Sequence, residues 1–301
     1  MQTATLATET SLRETAARDA LMSQLEDLWS KLDQVLGSLP PEQWAARHGR
    51  DWTFADVPYH LAYFDRDMIA EAILRGPDLP PDEQRPIRGQ AEIDTWNAPY
   101  FAAHQRGEAG TGVAQSLAEM RASRELLRRL AAGRDDADLQ RPVFVRLRGW
   151  VTVAEALQTC HLHTFNHFTE LLLRLQRTSP ALDPQHDHLA MGTLMASFAT
   201  AMDAQFAATL RRPFTVVMRF TGPGGDDWTL RVADGKLAVR EGAAPGADLV
   251  MQQAPVMMVK LATGMQNPLL AMLTGQIQVR GMRAMGTFSK LFPQPGKPGR
   301  R

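Results

Sequence analysis

A single cysteine, Cys160, in a chain of 301 residues rules out an intramolecular disulfide framework and suits a reducing compartment. Neither sign of charge is in excess. With 33 basic and 33 acidic residues, the chain lacks the cationic surplus of a nucleic-acid binder and any electrostatic reason to sit on anionic lipid. No apolar run is long enough to span a bilayer. The start, Met1 to Ser11, is polar and carries Glu9 where a secretory leader would have a basic flank and an apolar stretch, so a cytoplasmic protein is expected. No glycine-rich phosphate loop opens a helix, no nucleophile elbow is present, and no internal repeat recurs. What the chain does have is 44% hydrophobic residues and a length beyond the usual span of one core, which together predict two domains.

Periodicity divides it accordingly. Leu21, Leu25, Leu28, Leu32 and Leu36 step by four and three, predicting an amphipathic helix over about 12–36 that ends at Pro40 and Pro41. Thr53 with Asp56 three residues on is a capping signal, after which Val57, His60, Leu61, Phe64, Met68 and Ala72 form an inward stripe ending at Gly76. Residues 78–90 read as a loop, and 91–104 and 113–132 as helices. Thr152-Val-Ala-Glu155 is a capping box opening a last helix to about Arg177, with Ala156, Cys160, His163, His167 and Leu171 on one face. Beyond a short linker the pattern changes. A helix over 189–210 is predicted, then alternating strands at 214–220, 228–232 and 237–240, the last two joined by the hairpin signal Asp234-Gly235. Further strands are expected at 247–251 and 276–280, with apolar helices at 255–262 and 268–273. The predicted architecture is an all-α four-helix bundle (10–178), a linker (179–187), an α+β domain with a mainly antiparallel sheet (188–293) and a frayed tail (294–301).

The chemistry concentrates in three histidines. His163 and His167, four apart, share a helical face, and His60 lies on the inward stripe of another helix, so the three can converge on a metal with one coordination position open. Each also reads as a core histidine satisfied by a hydrogen bond. His161 lies on another side of its helix from His163 and is the weaker ligand. Asp67 and Glu170 stand at helical spacings from these histidines at which a carboxylate could orient an imidazole or move a proton; each equally reads as a solvated surface group. Cys160 reads as a buried structural thiol, and His48, His104, His186 and His188 as surface histidines.

Trp52-Thr-Phe-Ala-Asp-Val-Pro-Tyr-His60-Leu-Ala-Tyr-Phe-Asp65 and His163-Thr-Phe-Asn-His167 resemble the capped second helix and the terminal His-x3-His of the DinB-like metal-binding four-helix bundles. That family includes thiol-dependent S-transferases and mycothiol-dependent maleylpyruvate isomerases. The resemblance covers about residues 10–178 and implies that His60, His163 and His167 bind a divalent metal, zinc or nickel. Isomerase relatives place a carboxylate where His163 stands, so the chain is similar to the three-histidine branch. Residues 188–293 resemble a sterol carrier protein type 2 domain, on Ala247-Asp-Leu-Val-Met251, on Pro268-Leu-Leu-Ala-Met-Leu-Thr-Gly275-Gln-Ile-Gln-Val-Arg-Gly281, and on the helix that follows to Phe292. The chain ends in Gly-Arg-Arg, not in a peroxisomal Ser-Lys-Leu.

Three functions follow. In the first, the open metal position takes a low-molecular-weight thiol and presents it to an electrophile, making a transferase or isomerase. In the second, the protein is a carrier whose second domain holds a lipid or sterol-like ligand in an apolar pocket lined by Met251, Met258, Met265 and Met272. In the third, it is an interaction protein that forms a homodimer through its helices.

Overall fold

A computed structural model describes residues 2–48, 52–87, 90–107, 112–132, 134–177 and 184–293. The chain divides into two compact units, residues 1–87 with 93–167 and residues 88–92 with 168–301.

The first unit is helical. α1 (Gln2–Gly37) starts earlier than its leucine stripe predicts, and Leu25, Leu28, Leu32 and Leu36 are fully buried as the stripe requires. Each such leucine withdrawn from water stabilises the fold by roughly 1.5–3 kcal/mol. After the single turn α2 (Pro41–Trp44), α3 (Asp56–Tyr63), a π-helical segment (Phe64–Ala70) and α4 (Glu71–Arg75) form one rod that stops at Gly76, whose φ is 64°. Val57, Leu61, Phe64, Met68 and Ala72 are buried along it. α5 (Gln90–Gln105) and α6 (Val113–Ala132) follow. The glycine expected to end α6, Gly133, lies outside the described residues.

One element was not expected. After the turn α7 (Asp136–Leu139), β1 (Pro142–Val145) and β2 (Gly149–Thr152) form a hairpin. Val143-Phe144-Val145 is buried throughout, so it lacks the alternation by which a half-buried strand is read. α8 (Val153–Arg174) opens on the predicted box: Thr152 N–H donates to the Glu155 carboxylate at 2.7 Å, and Glu155 N–H donates to Thr152 Oγ1 at 3.2 Å. Tryptophan, leucine and cysteine side chains from α1, the α3 rod, α6 and α8 share one core that includes Leu25, Trp29, Phe64, Leu127, Leu157 and Cys160.

The second unit carries a five-stranded sheet ordered β5-β4-β3-β6-β7. The helix expected over 189–210 is two: α9 (Pro184–Ala201) and α10 (Ala204–Ala208). The break comes at Asp203, which takes the N-cap position and accepts the Phe206 N–H at 2.9 Å. An aspartate's carboxylate competes with the helix for backbone donors in this way. β3 (Phe214–Phe220), β4 (Asp227–Ala233) and β5 (Lys236–Glu241) are antiparallel neighbours. Asp234 and Gly235, both at positive φ (51° and 71°), make the tight turn between β4 and β5. β6 (Leu249–Gln253) joins β3 in parallel, and β7 (Gln278–Arg280) pairs antiparallel with β6. α11 (Pro255–Ala262) and α12 (Pro268–Leu273) supply a small apolar cluster with Met257, Ala271 and Ile277 at its centre, and a 3-10 turn then leads into α13 (Met285–Leu291). Among the described residues, no helix is long and apolar enough to cross a membrane.

Two glycines frame β7. Gly281 has φ +85°, and a Cβ there would stand 2.1 Å from the Asp248 carbonyl oxygen; Gly275, φ +73°, has nothing within 4 Å. Gly275→Ala therefore carries only the conformational cost of a left-handed backbone, about 1 kcal/mol, whereas Gly281→Ala must also push β6 aside. Thermal unfolding followed by circular dichroism should show a clearly larger drop in midpoint for Gly281→Ala than for Gly275→Ala.

Candidate metal centre

Asp56 begins the construction of the site. Its buried carboxylate accepts the Thr53 backbone N–H at 2.6 Å and the Thr53 hydroxyl at 2.8 Å, and lies 2.6 Å from His104 Nδ1. These bonds fix the entry into α3, and His60 follows one turn later on the buried face. From α8, His163 and His167 project one turn apart. The Nε2 atoms of His60 and His163 lie 2.9 Å from each other. One ligand nitrogen from each of the three rings falls within 4.8 Å of the others. Among the described residues, no fourth histidine, cysteine, aspartate or glutamate joins the group.

Aromatic rings enclose the cluster. Phe64, one turn beyond His60, stacks flat on His163 with centroids 3.6 Å apart; Trp52 lies parallel to His167 at 5.8 Å and edge-on to His60 at 4.7 Å; Phe101 of α5 packs on both Trp52 and His60. Burial in this apolar surround lowers the basicity of all three imidazoles. His60 falls well below its ordinary value through burial and then through His167, His163 likewise through burial and then its two neighbours, and His167 falls to about 4 through burial. Neutral imidazoles with lone pairs converging inside 4.8 Å are the form in which histidine binds a divalent ion. Buried Nδ1 atoms of His60 and His163 have no hydrogen-bond partner, so beyond the contact between their own Nε2 atoms these rings are oriented by packing. The donor set fits a divalent metal held by three nitrogens.

Beneath the histidines lies a polar group that sequence reasoning missed. Asp65, wholly buried on the π segment, accepts the Cys160 thiol proton at 3.2 Å and sits 3.9 Å from Arg124, which is itself buried and bonded to Asp33 at 2.9 Å. Burial raises Asp65 from 3.8 to about 6, opposed by Arg124 and Cys160, and burial and the nearby Asp65 push the Cys160 thiol well above its usual range. A thiol so held stays protonated and inert, as a structural cysteine does.

Other expected residues are placed as follows. Asp67 is bound by Arg66 through both carboxylate oxygens at 2.8 and 2.9 Å. Glu170 is held by Arg174 at 2.6 and 2.8 Å, with burial raising its pKa. Met251 and Met272 pack against the small apolar cluster, Met258 takes a contact from the Gln253 amide, and Met265 is exposed. His48, His104 and His186, expected at the surface, have buried side chains, and His188 is part-buried. His104 lies at the last turn of α5, stacked on Tyr59, where the glycines that follow it give the sequence the look of a turn.

Residues 24–171 match the family model described as the DinB superfamily. Among solved structures, a histidine-to-alanine mutant of a mycothiol-dependent maleylpyruvate isomerase is 13% identical, covering 93% of this chain and 96% of its own, with a TM-score of 0.51; the likeness is one of fold. An inverting sec-alkylsulfatase from Pseudomonas sp. is 16% identical over 70% of this chain at a TM-score of 0.31, and this chain spans only 31% of that protein's length. Sterol carrier protein 2 from Yarrowia lipolytica is 15% identical, covering 39% of this chain and all of its own, at a TM-score of 0.27. No curated protein matches the chain.

The raised Asp65 pKa sets a pH dependence. A carboxyl whose folded pKa lies above its unfolded value gives stability that is complete below pH 3.8 and lost as pH rises through about 6. This rise corresponds to about 3 kcal/mol. Denaturant titrations at pH 4 and pH 7 should therefore show Asp65→Asn gaining stability relative to the parent at the higher pH, by up to about 3 kcal/mol.

Proposed function

We propose, from the premise that residues 24–171 belong to the DinB superfamily, that this protein binds a divalent metal, zinc or nickel, through His60, His163 and His167 and acts as a thiol-dependent transferase or isomerase. The observation that carries the reading is the convergence of three imidazole donors of lowered basicity, one buried and two half-buried, inside 4.8 Å with no fourth protein donor beside them among the described residues. A structural site commonly fills all four positions with protein ligands, whereas a catalytic one leaves a position for substrate. A divalent ion bound there would lower the pKa of a low-molecular-weight thiol at its open position.

The chain's own residues supply the rest. Trp52 and Phe101 pack on each other and, with Phe64, on the imidazoles, and the three hold the planes of those rings. They also offer a flat, apolar wall to an unsaturated or aromatic electrophile. The fold likeness to a mycothiol-dependent isomerase is in keeping with a thiol as the co-substrate.

A second reading, a carrier of lipid or another apolar ligand, draws on the exposed Leu269, Leu270, Leu273 and Met282 of the second unit. Monomeric soluble proteins seldom leave large side chains so grouped in water without a use for them.

Elemental mass spectrometry on protein purified without an affinity tag should find bound zinc or nickel, one equivalent of which a His163→Ala, His167→Ala double variant loses. Wild-type protein free of metal would sink the enzyme reading and turn attention to lipid extracted from the purified chain.

A further inference from the structure

Metal-binding donors also converge in the second unit, at a place no motif announces. His188 lies on α9, Asp226 in the turn entering β4, and Glu241 at the end of β5. Register brings them together. Glu241 stands opposite Trp228 across the β4–β5 pair, and Asp226 precedes Trp228 by two residues, so alternation puts all three on one side of the sheet. α9 crosses that side at Gly192, where a Cβ would come within 2.6 Å of the Trp228 ring. His188 is one helical turn before Gly192, and its ring lies 5.6 Å from that of Trp228. One donor atom from each of His188, Asp226 and Glu241 therefore falls within 4.8 Å of the other two, with His188 Nδ1 2.6 Å from Asp226 Oδ2.

We propose that His188, Asp226 and Glu241 form a second divalent-cation site, of the zinc class, that fastens α9 to the β4–β5 end of the sheet. Two carboxylates and a neutral imidazole balance the charge of a divalent ion, and one nitrogen with two oxygens suits a borderline ion such as zinc better than calcium or magnesium. Water completes the coordination, since all three side chains are partly or fully exposed. Local cations do not already neutralise the pair: Arg219 is committed to Asp227 at 2.8 and 2.9 Å, and Glu241 has no ion pair among the described residues. Without a cation, Asp226 and Glu241 face each other as like charges across a short gap. Gly192 matters to the arrangement, because only a residue without a side chain lets α9 approach the Trp228 ring closely enough for His188 to reach the turn.

The site is separate from the bundle histidines, and the test keeps the two apart. Zinc binding is measured by equilibrium dialysis on four full-length proteins: wild type, His163→Ala with His167→Ala, Glu241→Gln with His188→Ala, and all four changes together, each checked for folding by circular dichroism. The second pair should lower wild-type stoichiometry by one equivalent, and the first pair should leave one equivalent whose affinity falls more than about tenfold when the second pair is added. Nickel added to the His163→Ala, His167→Ala protein should quench tryptophan emission, and Trp228→Phe should remove most of that quenching. Equal zinc stoichiometry and affinity with and without the His188→Ala, Glu241→Gln pair would overturn the proposal and leave His188 and Asp226 as a hydrogen-bonded pair only. If the bundle reading alone is wrong, wild type and the His163→Ala, His167→Ala protein will each bind the same single equivalent.

Discussion

Holding three imidazoles neutral and facing one another inside an apolar helical unit is the constraint on which the first unit depends. Histidine nitrogens lose strong hydration when buried, and rings this close cannot all accept protons. The surrounding elements answer that demand. Trp52 and Phe101 close one side, Phe64 lies flat against His163, and the carboxylate of Asp56 locks the start of the helix that delivers His60. The arrangement carries a cost: two buried Nδ1 atoms, on His60 and His163, have no partner, a feature that an apolar core of the same size would avoid.

One level deeper, the Asp65, Arg124 and Asp33 chain shows how a second polar demand is met. Arg124 is nearly inaccessible to water and still carries a charge, which it shares between two aspartates, one buried and one partly exposed. Removing Arg124 would leave the buried Asp65 carboxylate without a cation, the expensive outcome for such networks, whereas Arg124 keeps Asp33 if Asp65 is neutralised. Cys160 joins as a weak donor to Asp65. The chain's lone cysteine is thus absorbed into the packing beneath the histidines, as expected of a structural thiol.

Much of this was legible in the sequence because it is local. Helical stripes, the Thr152–Glu155 box, the Asp234-Gly235 turn and the alternation of β3 each involve residues close in the chain, and all appear in the structure. His163 and His167 were legible for the same reason, and His60 because it sits on a strong stripe. What escaped reading depends on distant partners. Val143 to Val145 of β1 are buried in succession and so show no period; Asp56 and His104 meet across 48 residues, and Asp65 and Cys160 across 95. The break between α9 and α10 was hidden because the apolar pattern continues through it, while a single carboxylate ends the helix.

The π-helical segment between His60 and Gly76 bears on how the chain can change length over evolutionary time. Bonding to the fifth residue rather than the fourth accommodates one more residue than an α-helix would use for the same turn. Loss of one residue within 64–70 would let this stretch revert to α-helix while the buried faces on either side, Val57 to Leu61 before it and Ala72 to Ile73 after it, keep their direction toward the core. The same loss anywhere else in the rod would rotate everything beyond it by about 100° and carry buried side chains out into water. Slack for insertion and deletion is therefore concentrated in the segment immediately following a proposed metal ligand, where the ligand itself is left undisturbed.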